Sequence, residues 1–133
     1  MLIQSDIHKA LNQLNSGDTA KLTCKGLDIA MRYIDDASKL AVSTPIYFGG
    51  NYIPGSVRNS LSHSHFTSRS NLKTYLTIDE QHFQVNLNCL DQTENLNHSK
   101  LEKLLEDFGY LATKWRTYLD GQDKRDLIYI KVR

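Results

Sequence analysis

The sequence predicts an α+β fold: an antiparallel twisted sheet packed against an N-terminal helix and a long C-terminal helix. Three observations lead there. Two stretches alternate apolar and polar residues, one around residues 27–46 and one around 72–89, as hairpins with one buried face do. A segment from Leu101 to Leu119 instead repeats its apolar residues every three or four positions, the period of a helix. A shorter segment near the start has the same period. The predicted order is α-β-β-α-β-β-α, with one extra strand at the C-terminus.

The first helix carries Ile3, Ile7, Ala10, Leu11 and Leu14 on one stripe. Ser5 or Asp6 can cap its start, and Asn15-Ser16-Gly17-Asp18 ends it. Leu22 to Gly26 fits neither period clearly. Leu27, Ile29, Met31 and Tyr33 then alternate with Asp28, Ala30 and Arg32. Asp35-Asp36-Ala37-Ser38 supplies a turn, and Leu40, Val42, Thr44 and Ile46 form the return strand. Pro45 donates no hydrogen bond, so it suggests a strand that is ending or lies at an edge. After a Gly-rich break, Ser56 can cap a short helix carrying Val57, Leu61 and Phe66. Residues 60–71 are rich in Ser, His, Thr and Arg and read as a solvated loop.

In the second hairpin, Leu72, Thr74, Leu76 and Ile78 share one face. Asp79-Glu80-Gln81-His82 turns the chain. Phe83, Val85, Leu87 and Cys89 alternate with Gln84, Asn86 and Asn88. The long helix opens on Ser99 with Glu102 three residues later, the signature of a capping box. Leu101, Leu104, Leu105, Phe108, Leu111, Ala112, Trp115, Tyr118 and Leu119 fill one side. Gly109 within it implies close packing, and Asp120-Gly121 is the expected stop. Ile128, Ile130 and Val132 then alternate with Leu127, Tyr129 and Lys131, which predicts a final strand over residues 126–133.

At 133 residues the chain is expected to be a single domain, residues 1–133. A chain of this size buries roughly two thirds of its unfolded surface, enough for a core without staples. Apolar residues make up 40% and charged residues 23%, and the formal net charge is +1. The lack of a basic excess argues against nucleic acid as a partner. Cys24 and Cys89 lie in no metal-binding or redox spacing. The start has no basic region followed by an apolar run, and no segment approaches the ~20 apolar residues that span a bilayer. A reducing cytoplasm is the expected compartment, with no membrane partner.

Catalytic chemistry finds little support. His63 and His65 form an HxH pair that could hold a metal on a strand, and a metal-dependent enzyme could be built on them. No Asp, Glu or Cys adjoins them to complete a shell, so neither a metal nor another cofactor is expected. Asp35 and Asp36 read as turn formers, and Gly49-Gly50 lacks a phosphate-cradling spacing. Cys89 has apolar neighbours on its face and reads as core. Arg116 is expected near a helix end, either against the negative end of the helix dipole or in contact with a second subunit or ligand peptide.

Leu76-Thr77-Ile78-Asp79 with Phe83-Gln84-Val85-Asn86-Leu87 resembles the last strand pair of the class I type III secretion chaperones, the Tir-chaperone or CesT-like family. Leu101 to Phe108, leading into Ala112-Thr113-Lys114-Trp115-Arg116 and Leu119, resembles that family's final helix. The likeness covers about a third of the chain well. The chain departs from the pattern in its near-neutral charge and in the expected strand after the helix. The resemblance implies a homodimer of a bacterial virulence system, without cofactor or catalysis. Such a protein holds the unfolded N-terminal segment of a secreted effector extended and ready for export. It places Ile7, Leu11, Ile29, Met31, Tyr33 and Val42 in the partner-binding groove. Val57, Leu61, Phe83, Val85 and Leu87 would form the dimer interface. The alternative is an adaptor or regulatory module on a similar fold that binds a folded partner.

Overall fold

The computed structural model describes residues 4–24, 26–61, 72–94 and 96–132, with the backbone alone from residue 123 onward. Helix α1 (Gln4–Asn15) is followed by β1 (Ala20–Cys24), β2 (Leu27–Ile34) and β3 (Lys39–Phe48). Then come α2 (Gly55–Ser60), β4 (Thr74–Asp79), β5 (Gln84–Gln92) and α3 (His98–Val132). The strands form one antiparallel sheet in the order β1-β2-β3-β5-β4. Helices α1 and α3 lie on one face. α1 sits over β1, and α3 crosses β3 and β2.

Local chemistry sets the element ends. α1 stops where Gly17 takes a φ of 85°, a value that costs glycine nothing. Gly17 N then donates to Leu14 O at 3.0 Å and Asp18 N to Gln13 O at 3.1 Å, so two of the helix's orphan carbonyls are satisfied. The ambiguous stretch at Leu22 is the edge strand β1, paired residue for residue with β2 from Ala20↔Met31 to Cys24↔Leu27.

Three expectations about strands and helix ends are corrected. The strand does not end at Pro45, since β3 continues to Phe48, but the ladder with β2 stops at Ala30↔Ser43, so Pro45 sits at a locally open edge of an otherwise interior strand. The proline is tolerated because no β2 residue is paired opposite it, and the register with β5 slips just after it, between Pro45 and Tyr47. The slip turns both Ile46 and Tyr47 inward and leaves Phe48 62% exposed. Phe83 belongs to the turn, with φ 54°, and β5 begins at Gln84. The long helix is capped by Asn97, whose Oδ1 accepts from Lys100 N at 2.9 Å, and not by Ser99.

The expected stop at Gly121 and the expected strand over 126–133 are both overturned. α3 runs unbroken for 35 residues to Val132. Gly121 is not among the positive-φ glycines, so it is an ordinary helical residue and cannot end the helix. A short apolar run such as Leu127 to Val132 suits either structure by pattern alone. Gly109 also differs from expectation: a Cβ added there meets nothing within 4 Å, so no close packing requires it.

The core lies between the sheet and the two long helices. Phe108, Leu101, Leu105, Leu111 and Leu119 of α3 are fully buried, as are Ile7 and Leu14 of α1. Each such side chain contributes about 1.5–3 kcal/mol of burial. Trp115 is buried as well and meets Tyr118 edge-on, with ring centroids 6.1 Å apart.

Candidate functional site

Among the described residues the cysteines are chemically quiet. Burial, aided by the nearby Asp91 charge, pushes the Cys89 thiol up to about 12, far from thiolate at neutral pH. Cys24 is also buried and free. Among the described residues no three His, Cys, Asp or Glu side chains group as metal ligands. His63, His65 and Phe66 lie outside the described residues. Arg116 is half-buried and does not stand at a helix end. It lies well inside α3 and donates to Gly26 O at 3.2 Å and to Pro45 O at 3.5 Å. It therefore pins the helix to the β1–β2 turn and to the bulge of β3.

The residues assigned to a partner groove separate into two groups. Ile7, Ile29, Met31 and Val42 are at most 1% exposed and belong to the core, which corrects their assignment as groove lining. They occupy the helix-side face of the sheet and the inner face of α1, and the chain's own helices cover them. Leu11 and Tyr33 are half-buried, packed on the core's margin. Tyr33 OH donates to Asn15 Oδ1 at 3.3 Å, one turn along α1 from Leu11, so both border the same margin. Leu22 of edge strand β1 is half-buried too, and its short strand carries no alternation long enough to announce it.

The residues assigned to a dimer interface separate in the same way. Val57, Val85 and Leu87 are fully buried within the chain and cannot meet a second copy as placed, whereas Leu61 and Phe83 are half-buried. The apolar surface on this side lies one strand further out. On edge strand β4, Leu76 is half-buried and Ile78 is 37% exposed, although both point to the helix side. α3 crosses β3 and β2 and leaves this strand largely uncovered. Leu72 and Leu61 are partly exposed as well.

A bidentate pair holds α2 beside β4. Arg58 Nη2 and Nη1 donate to the two Glu80 carboxylate oxygens at 2.8 and 3.1 Å, and Arg58 Nε donates to Ile53 O at 3.2 Å. The hydrogen bonds from Arg58 hold the Glu80 carboxyl below its usual range. The adjoining Asp79 is also lowered, first by its hydrogen bond with His82 Nδ1 at 2.7 Å.

Among the described residues no helix lies over the opposite face of the sheet. Its central strands show short or polar side chains: Ala30, Ala41, Ser43, Asn86 and Asn88. Tyr75 stands 49% exposed beside them. No helix of the described residues is long and apolar enough to cross a membrane.

This architecture, a five-stranded antiparallel sheet with α1 and α3 on one face, is the fold of type III secretion chaperones. The chain matches one in the crystal structure of the ExsC–ExsE complex with a TM-score of 0.63 and 16% identity, over 90% of this chain and 97% of that one. It matches a chain of the heterodimeric ExoU–SpcU complex from the type III secretion system of Pseudomonas aeruginosa at TM-score 0.57 and 16% identity, covering 87% and 96%. A third match is to the structure of the Yersinia pestis type III secretion chaperone SycH with a stable fragment of YscM2, at TM-score 0.54 and 11% identity, covering 84% and 98%. No family model matches the sequence, and no curated protein matches it.

Proposed function

We propose that this protein is a secretion chaperone: a non-enzymatic homodimer that holds the N-terminal segment of a secreted effector extended until export. The observation that carries this reading is the near end-to-end match to chains solved in complexes of this kind, including 97% of a chain in the ExsC–ExsE complex. The surfaces suit the task. β1 is an edge strand with one side of its backbone unpaired, ready to accept an extended segment by strand addition. Leu11, Leu22 and Tyr33 border it as half-buried apolar anchors. At the other edge, Leu61, Leu72, Leu76 and Ile78 give β4 and α2 the apolar strip that a second copy would cover.

The experiment is co-purification from the native host, with the bound protein identified by mass spectrometry. A chaperone should then bind the isolated N-terminal segment of that partner, and the remaining folded part should not compete. If only the folded part binds, the protein is an adaptor and the proposal fails.

A further inference from the structure

The helix-free face carries a row of carboxamides along β5. Gln84, Asn86 and Asn88 are alternate residues and project on one side. Hydrogen bonds among them and their neighbours set which way each amide points. Gln84 Nε2 donates to Asn86 Oδ1 at 3.1 Å. Asn88 Nδ2 donates to Thr77 Oγ1 at 3.0 Å and to the Asn86 carbonyl at 3.2 Å. The capacity left over includes Gln84 Oε1 and the second Nε2 hydrogen, Asn86 Nδ2 and Asn88 Oδ1, so the row offers both acceptors and donors. The row repeats every two strand residues, about 6.8 Å. An extended polypeptide presents the N–H and C=O groups of one side at the same repeat.

Beside this row runs a trough floored by the short side chains of Ala30, Ser43 and Pro45. It consists of two hollows of about 500 and 340 Å³ that share Ala30 and Ser43. Its β1–β2 rim bears Lys21 and Arg32, neither of which has an ion pair among the described residues. The Asp28 carboxylate on that rim already accepts from Thr23 Oγ1 at 3.2 Å. The rim therefore carries an excess of one positive charge. β2, β3 and β5 are interior strands, and strand addition extends a sheet at its edge rather than over its face. This face can hold a chain only through side chains.

We infer that this trough is a second hold on the client. It binds an extended polypeptide segment by its backbone through Gln84, Asn86 and Asn88, with an acidic side chain of the segment against Arg32 and Lys21. The inference rests on the reading of the protein as a holder of unfolded segments, and adds a surface separate from the β1 edge. Because the amides address backbone groups, this hold is independent of client sequence apart from the acidic side chain.

The test uses the full chain and reduced, carboxymethylated α-lactalbumin, an unfolded and acidic polypeptide, as the probe. Titration followed by NMR should shift the side-chain amide signals of Gln84 and Asn86. Ser43→Arg, which fills the trough, should weaken binding about tenfold or more with an unchanged melting temperature. Arg32→Glu, on an exposed position, should weaken it as well and keeps the test open if Ser43→Arg does not fold. Binding that is unchanged in the folded variants, with amide signals that stay in place, would overturn the trough and leave the chaperone reading standing. Absence of any binding by the wild-type chain would overturn the sequence-independent hold in the trough and leave the chaperone reading to its own test with the native partner. A change of particle mass in Ser43→Arg would show that a second copy covers this face, and the inference would fail.

Discussion

Thr93 donates its hydroxyl to the carbonyl oxygen of Ala37 at 2.6 Å, joining two residues 56 positions apart. Its backbone N–H also donates to Ser38 O at 3.2 Å. The residue just after β5 therefore clamps the tip of the β2–β3 hairpin. That tip needs a clamp, because Asp35, Asp36 and Ala37 have φ values of 51°, 56° and 67° in succession. The left-handed region costs an ordinary residue about 1–2 kcal/mol, and alanine has no polar side chain to offset it.

Ala37→Gly should accordingly stabilise the protein by about 1 kcal/mol, the relief of strain being partly offset by the greater freedom of glycine in the unfolded chain. Thr93→Val should cost about 1 kcal/mol through the lost hydrogen bond. Urea midpoints of the two variants check both signs. A destabilised Ala37→Gly would show that the tip is not strained.

Gly109 lies inside α3 with open space where a Cβ would point. Glycine in a helix interior costs about 1 kcal/mol relative to alanine. Gly109→Ala should therefore raise stability by about that amount, measured as a higher urea midpoint at unchanged slope. Loss of stability would reveal a packing contact at this position that the fold does not show.

Much of this architecture is legible in the sequence, and the misassigned groove and interface residues share one cause. The alternations in β2, β3 and β5 and the stripe of α3 announce burial, and the structure buries those residues. The same patterns are silent about what does the covering. Ile29, Met31 and Val42 read equally well as a groove for a partner and as a floor for the chain's own α1 and α3. β1 is hard to see because Lys21 and Thr23 leave only Leu22 to carry an alternation in its interior. The clamp by Arg116 was not legible, since its acceptors are backbone carbonyls at Gly26 and Pro45, which leave no trace in residue type. The exposed margin of β4 could have been found: an edge strand whose inward residues are Leu76 and Ile78, with few helical residues nearby to cover them, predicts an unmet apolar face.

Cys89 gives a prediction in pH. Burial raises its thiol from an ordinary 9.0 to about 12. The folded state thus favours the protonated form, and the stability this represents is fully present below pH 9 and lost as pH rises toward 12. Within that window the loss approaches about 1.4 kcal/mol per pH unit. The informative quantity is the difference in slope between the wild type and Cys89→Ala, which isolates the thiol. The wild type should lose stability more steeply. Equal slopes would mean that the thiol is not held protonated.

The strip on β4 gives the prediction that bears most directly on assembly. Ile78 is 37% exposed on the helix side of an edge strand, next to Leu76, and α2 is tied alongside by the Arg58–Glu80 pair. An apolar edge left open in this way invites pairing with another strand. If a second copy covers it, light scattering should give a particle of twice the 15.2 kDa chain mass. Ile78→Lys should then return the mass to that of one chain. Because the side chain is partly solvated within one copy, the substitution should change the stability of the single chain by no more than about 0.5 kcal/mol. A wild-type chain that runs as a monomer, or a dimer that survives both Ile78→Lys and Leu76→Lys, would rule out this edge as the place where two copies meet.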